Sequence, residues 1–357
     1  MSNQNASPEP RDDQQAPAAP VRTPEPRWVT PVLLAGIAVF LYLVRSILTP
    51  FVIAAILAYV ISPVIVWAEE KVRLPRPATV VALLVLLLVP IGAIVWIVEP
   101  ALVRETNSLV QDAPALITKL MVEIFGSERI DVLGQTVDAR SISLYLERGL
   151  ADTIGQPRGA IHAAAIAGEI ILQTFLSLVL LVYFLINPRP FGEMALRLVP
   201  SERRPELRGL AAEIHGVLGR YVRGLAFLVA LMAAVTWTGL ALFFHLPYSL
   251  PIAITTGFLE IIPFLGPVTA GTIAAAVALA TGGPQMALWI AVFYLVIRQL
   301  EDQLVMPLVI GHAVELHPAV NIFAVLAGSA LWGVLGALLA IPVAATIKVI
   351  FLHFRPD

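Results

Sequence analysis

Long apolar runs, each near or above the length that crosses a bilayer, alternate along this chain with short charged segments. A hydrocarbon core of about 30 Å needs about 20 apolar residues in a helix. Val29–Ala68 is a forty-residue run interrupted only by Arg45 and the turn-forming Thr49-Pro50. It predicts a hairpin of two crossings, with Arg45 snorkelling at the bend. Ala78–Val98 predicts a third crossing, and Gly159–Ile186, which contains Glu169, a fourth that is long enough to tilt. Between them Glu99–Arg158 carries nine acidic and six basic residues and reads as aqueous. Further on, Leu207, Leu210, Ile214, Val217, Leu218 and Tyr221 recur at helical spacing, with Glu206, Arg208, Glu213 and Arg220 on the other face. That is an amphipathic helix, expected along the membrane surface or against the bundle.

Two apolar segments in the second half do not read as simple spans. Ser249–Thr281 is thirty-three residues long and is interrupted by Pro263-Phe264-Leu265-Gly266-Pro267. Pro318–Ile350 has the same length and breaks at Gly333-Val334-Leu335-Gly336, with Pro342 beyond. Non-helical backbone at membrane depth is tolerated only where it lines protein or a cavity, so a pair of such segments points to a transport site. Both are expected to be broken helices or re-entrant hairpins; the alternative is a proline-kinked helix packed through its glycines.

Composition turns this pattern into a class. The 357 residues are 58% hydrophobic and 13% charged, about half the charge of an ordinary soluble domain, which makes this an all-α polytopic membrane protein. The net charge of −2 gives no basic surface for nucleic acid. The absence of cysteine removes thiolate chemistry and cysteine metal sites. Residues 1–28 hold six prolines and no apolar run, and read as a disordered tail without a signal peptide. Seven arginines in Asn187–Arg223, with Lys71, Arg73 and Arg76 two crossings earlier, place those segments in the cytoplasm. Both termini are then cytoplasmic and 99–158 is extracytoplasmic. The expected organisation is a tail (1–28), three transmembrane helices (29–98), the external segment (99–158), a transmembrane helix (159–186), a cytoplasmic amphipathic helix (187–222) and a core with broken helices (223–357).

Charge also locates candidate chemistry. From Gly224 to Ile347 the formally charged side chains are Glu260, Arg298, Glu301, Asp302 and Glu315 alone. Ionisable groups inside a bilayer are costly and are functional by default. Arg298 can pair with Glu301 and Asp302 one turn on, which leaves one carboxylate in excess and makes Arg298, Gln299, Glu301, Asp302 and Gln303 a polar site for a cation, a proton or a hydrogen-bonding solute. The alternative is an interfacial helix end. His312 and His317 flank Glu315 without metal-site spacing, so no metal is expected; Glu169 reads as lying near the outer end of its helix, with a proton carrier as the alternative. Gly328-Ser329-Ala330 has no histidine placed to activate a nucleophile, and no GxxxxGK[ST] loop is present, so neither an intramembrane hydrolase nor an ATP-driven pump is expected.

Read in order, four motifs resemble the signatures of the autoinducer-2 exporter family of bacterial and archaeal permeases. They are Glu260-Ile261-Ile262-Pro263-Phe264-Leu265-Gly266-Pro267; Gln299-Leu300-Glu301-Asp302 with Pro307 beyond; Leu316-His317-Pro318; and Gly333-Val334-Leu335-Gly336 running to Pro342. Tyr221-Val222-Arg223-Gly224 is similar to the family's entry to its second half, with Leu225 where glutamine is common. The resemblance covers Val29 to Phe351 and implies about eight membrane segments and a multi-pass permease of the cytoplasmic (inner) membrane. It also implies a homo-oligomer, a pentamer, with elevator-like movement. Export of autoinducer-2 or monovalent cation/proton antiport are the implied activities. No cofactor is implied. The expected function is a secondary transporter, not an enzyme, with lipid, its own copies and a small polar solute or monovalent cation or proton as partners. The alternative is a channel-like or scaffolding protein without a coupled cycle.

Overall fold

The computed structural model describes residues 36, 39–40, 42–72, 75–127, 129–132, 135–138, 141, 157–187, 196, 199–262, 265–309 and 316–354. The expected tail and the larger part of the first expected crossing lie outside them. So do Pro263, His312 and Glu315.

The described residues are almost entirely helical. In chain order the helices are α1 (Arg45–Val72), α2 (Arg76–Phe125), α3 (Pro157–Ile186), α4 (Arg204–Thr238), α5 (Ser249–Leu259), α6 (Leu265–Leu300), the single turn α7 (Met306–Val309) and α8 (Pro318–His353). The exception is an antiparallel pair, β1 (Arg129–Val132) and β2 (Gln135–Asp138), in register Arg129 to Asp138. Among these residues six helical stretches are long and apolar enough to cross a membrane, and α5 is a shorter apolar helix. Contacts divide the chain at Arg45. In the first unit the Arg45 guanidinium lies 4.3 Å from the centre of the Tyr42 ring, and the second, Ser46–Asp357, carries everything below.

Two helices run past the expected element boundaries. The helix of the third expected crossing continues beyond Val98, as α2, to Phe125. Glu99–Phe125 stays helical through Pro100 and Pro114, and the helix stops at Gly126, whose φ of 70° is left-handed. The amphipathic stretch and the apolar stretch after it are one helix, α4. No proline lies between Leu207 and Thr238, and the four glycines there stay helical, so hydrogen bonding continues from the charged stretch into the apolar one.

The first three helices pack through Ala54, Ile61 and Ile65 of α1, Val80 and Leu84 of α2, and Leu181 and Leu185 of α3. Arg76 fastens the same corner, donating to the Leu185 carbonyl at 2.8 Å and pairing with Glu69 at 3.3 Å. α1 meets α4 where Tyr59 hydrogen-bonds His215 and Arg223 donates to the Tyr59 carbonyl.

In the second half the interruptions fold the helices back on themselves. α5 ends at Leu259 and α6 begins at Leu265, so the first break occupies 260–264. A side chain at Gly266 would collide with the Leu259 carbonyl, which is how closely the two arms approach. α6 contains a further break at Gly283, with φ 79° and ψ −177°. Gly271 on one side of it packs on the Tyr294 ring on the other, although 23 residues of continuous helix would span about 34 Å. α8 is broken at Trp332 and Gly333, where Gly333 has φ 60°, a conformation that glycine adopts without steric cost. Gly328 and Gly336 then press backbone to backbone, where continuous helix would hold them about 12 Å apart. Pro342 is buried in the second arm.

Candidate functional site

The charged residues of the second half converge at the first break. Glu260 terminates α5, Arg298 lies in the last turn of α6, and Glu301 and Asp302 open a π-helical turn, Glu301–Val305, that continues α6. Such turns often mark functional sites, because they displace side chains from helical register. One Arg298 nitrogen, Nη1, lies 3.0 Å from Glu301 Oε2 and 3.7 Å from Glu260 Oε2. The other, Nη2, lies 3.0 Å from Asp302 Oδ1. Arg298 is therefore shared among three carboxylates, and Glu260 raises the formal excess of acid from the expected one to two.

Burial separates their roles. The side chains of Glu260 and Glu301 are 2% and 1% exposed, whereas Arg298 is 26% and Asp302 45% exposed. Among the described residues, the buried Glu260 Oε1 and Glu301 Oε1 have no N–H or hydroxyl donor, and the two carboxyls lie within hydrogen-bonding reach of each other. Two enclosed carboxylates with one cation between them are stable only if the charge is met by that cation, a proton or another positive group. Asp302 leads from this interior to the surface.

Other expected residues are dispersed. Gln299, Gln303 and Pro307 are exposed. Pro267 is half-buried at the start of α6, and Gly266 is buried. Gly333, Gly336 and Pro342 belong to α8. The link runs through Ile262, which packs on the apolar cluster of Tyr221, Leu225, Val325, Ala337, Ala340 and Ile341. The first break thus joins the charged cluster on one side and the broken α8 on the other. His317 accepts from the Ala319 N–H at 3.2 Å and caps α8, and Glu169 accepts from Gln173 one turn on.

Three hydroxyl residues escaped the sequence reading. Thr236 of α4, Thr256 of α5 and Tyr294 of α6 are buried, and Thr256 Oγ1 is 2.9 Å from the Tyr294 hydroxyl. The available signal was their spacing, since Thr256 precedes Glu260 and Tyr294 precedes Arg298 by one helical turn. A shallow cavity of about 310 Å³ lies elsewhere, between Phe243, Phe244 and the Gly282–Trp289 stretch at the break of α6, so the cluster does not open into it.

A family model described as AI-2E family transporter matches residues 31–355. A candidate transport protein of Mycobacterium tuberculosis is 30% identical over 329 residues, 89% of this chain and 86% of its own length. The candidate permease PerM of Escherichia coli K12 is 30% identical over 345 residues, 94% of either chain. YrrI of Bacillus subtilis, also named as a candidate transport protein, is 25% identical over 345 residues, 92% of this chain and 95% of its own.

Proposed function

The chain belongs to the AI-2E transporter family, and from that premise we propose that it is an ion-coupled secondary transporter whose coupling centre is the Arg298 cluster. The observation that carries this reading is the burial of Glu260 and Glu301, each with an oxygen that has no N–H or hydroxyl donor among the described residues, beside a single guanidinium at an interruption of the membrane helices. Charge of that kind in a bilayer protein is expensive unless something exchanges with it. In the proposed cycle a proton or a monovalent cation offsets the excess acid and leaves through Asp302. The moving solute is then a small polar molecule exported against that gradient, as the family description suggests, or the cation itself exchanged for protons.

The folded-back arms support an assignment of α5 with the first arm of α6, and of the two arms of α8, as re-entrant hairpins. Their breaks would approach mid-membrane from opposite sides, the first from outside and the second from the cytoplasm. Orientation rests on the arginine distribution, which puts the start of α4 inside.

The test is flux through purified protein in proteoliposomes under imposed pH, sodium or potassium gradients. Saturable, gradient-driven flux that vanishes in Glu301→Gln is expected. Non-saturable flux indifferent to the gradients would identify a fixed pore and overturn the proposal.

A further inference from the structure

We infer that Tyr294 and Thr256 are positioning residues that hold Glu260 against Arg298, an inference that rests on the proposed role of the cluster. α5 and the second arm of α6 present two cross-connections, one turn apart and in the same register. Thr256 faces Tyr294 and, four residues later on each helix, Glu260 faces Arg298. The first is neutral and buried. The second is charged and long, 3.7 Å against 3.0 Å for either other partner of Arg298, beyond hydrogen-bonding distance. Glu260 is therefore not fixed by a hydrogen bond from Arg298; its side-chain partner is the Glu301 carboxyl, and its place along α5 is set by the backbone.

The two hydroxyls share one hydrogen bond in which either can donate. The Thr256 hydroxyl also reaches the Ile252 carbonyl at 2.9 Å, and with its proton there Tyr294 is the donor. The Glu260 N–H in turn donates to the Thr256 carbonyl at 3.2 Å, so the residue that Tyr294 grips also carries the last helical turn before Glu260. Tyr294 is itself held on a further side, where its ring packs against Gly271 of the other α6 arm. One side chain thus joins both arms of α6 to the end of α5. The charged groups facing Glu260 are Arg298, Glu301 and Asp302, and Tyr294 is the neutral titratable group beside it.

The full chain in nanodiscs provides a readout that needs no transported solute. The carboxyl stretching band of Glu260 in infrared difference spectra between acidic and alkaline buffer is assigned by its loss in Glu260→Gln. Tyr294→Phe, which keeps the ring, and Thr256→Val, which keeps the shape, are both expected to move that band, whereas Thr256→Ser leaves it in place. In pyranine-loaded proteoliposomes, proton flux in the first two falls about threefold to tenfold, the worth of one hydrogen bond, and Thr256→Ser restores it. An unmoved Glu260 band in Tyr294→Phe and Thr256→Val overturns the inference. Misfolding of both also overturns it, by making the hydrogen bond a folding contact only. Absent proton flux in the wild type, with the band shifts intact, defeats the coupling role instead and leaves the positioning role standing.

Discussion

At the residue scale the cluster is governed by what a lone guanidinium can satisfy. Breaking a buried ion pair by removing one partner costs about 3–5 kcal/mol, because an uncompensated charge stays behind. Arg298 serves two enclosed carboxylates, so Arg298→Met is expected to destabilise the folded protein by that order, read as a large loss of thermal midpoint in detergent. Asp302 is half-exposed, and exposed pairs are worth about 1 kcal/mol or less. Asp302→Asn should therefore leave the midpoint nearly unchanged while abolishing gradient-driven flux. A comparable loss of stability in both variants would show that Asp302 is structural.

The element scale is set by how closely helical arms approach. Gly328 and Gly336 leave no room for a Cβ, and overpacking costs about 1–3 kcal/mol. Alanine at either is expected to lower the thermal midpoint, whereas Gly92→Ala, with open space around it, is neutral. Gly266→Leu meets the Leu259 carbonyl and is expected to abolish flux; normal flux in correctly inserted protein would rule out a close first break. A second element-scale feature is the start of α5. Leu250 N–H donates to Glu105 of α2 at 3.0 Å, and the Tyr248 hydroxyl donates to Asp112 at 2.6 Å. Tyr248 has φ 61°, a costly backbone for an aromatic residue that these contacts hold in place. Desolvation, then the hydrogen bond to Asp112 and its charge, push the Tyr248 hydroxyl up to about 12 from 10. A raised value favours the protonated form in the folded state. Its contribution is complete below pH 10 and is lost as pH rises through 12. Hydrogen exchange at Leu250 should accordingly stay slow below pH 10 relative to the intrinsic rate, and Tyr248→Phe should accelerate it there while losing that effect as pH rises through 12.

For the whole molecule the proposal that matters is orientation. Cysteine at Arg203 should be shielded from an impermeant maleimide added outside intact cells, and cysteine at Asp131 should react. The chain has no native thiol to confuse the result. Labelling of position 203 from outside would invert the topology and with it the direction of the two broken segments.

How much of this was legible depends on the range of the interactions concerned. Apolar run length, the Gly and Pro interruptions, the arginine bias and the Arg298, Glu301 and Asp302 spacing are local properties, since bilayer thickness and helical pitch act on consecutive residues. They gave the membrane class, the broken segments, the family motifs and two of the three ion pairs. The extent of α2 and the fusion of the amphipathic stretch into α4 were less visible, because charge changes along a helix without ending it. The break at Gly283, though written as Gly282-Gly283-Pro284, shows as a fold-back only when Gly271 meets Tyr294. Above all, the third ion pair joins Glu260 to a guanidinium 38 positions away, and Thr256 meets Tyr294 across the same distance. Those contacts exist because the chain reverses twice between them, and only tertiary packing decides which residues the reversals bring face to face.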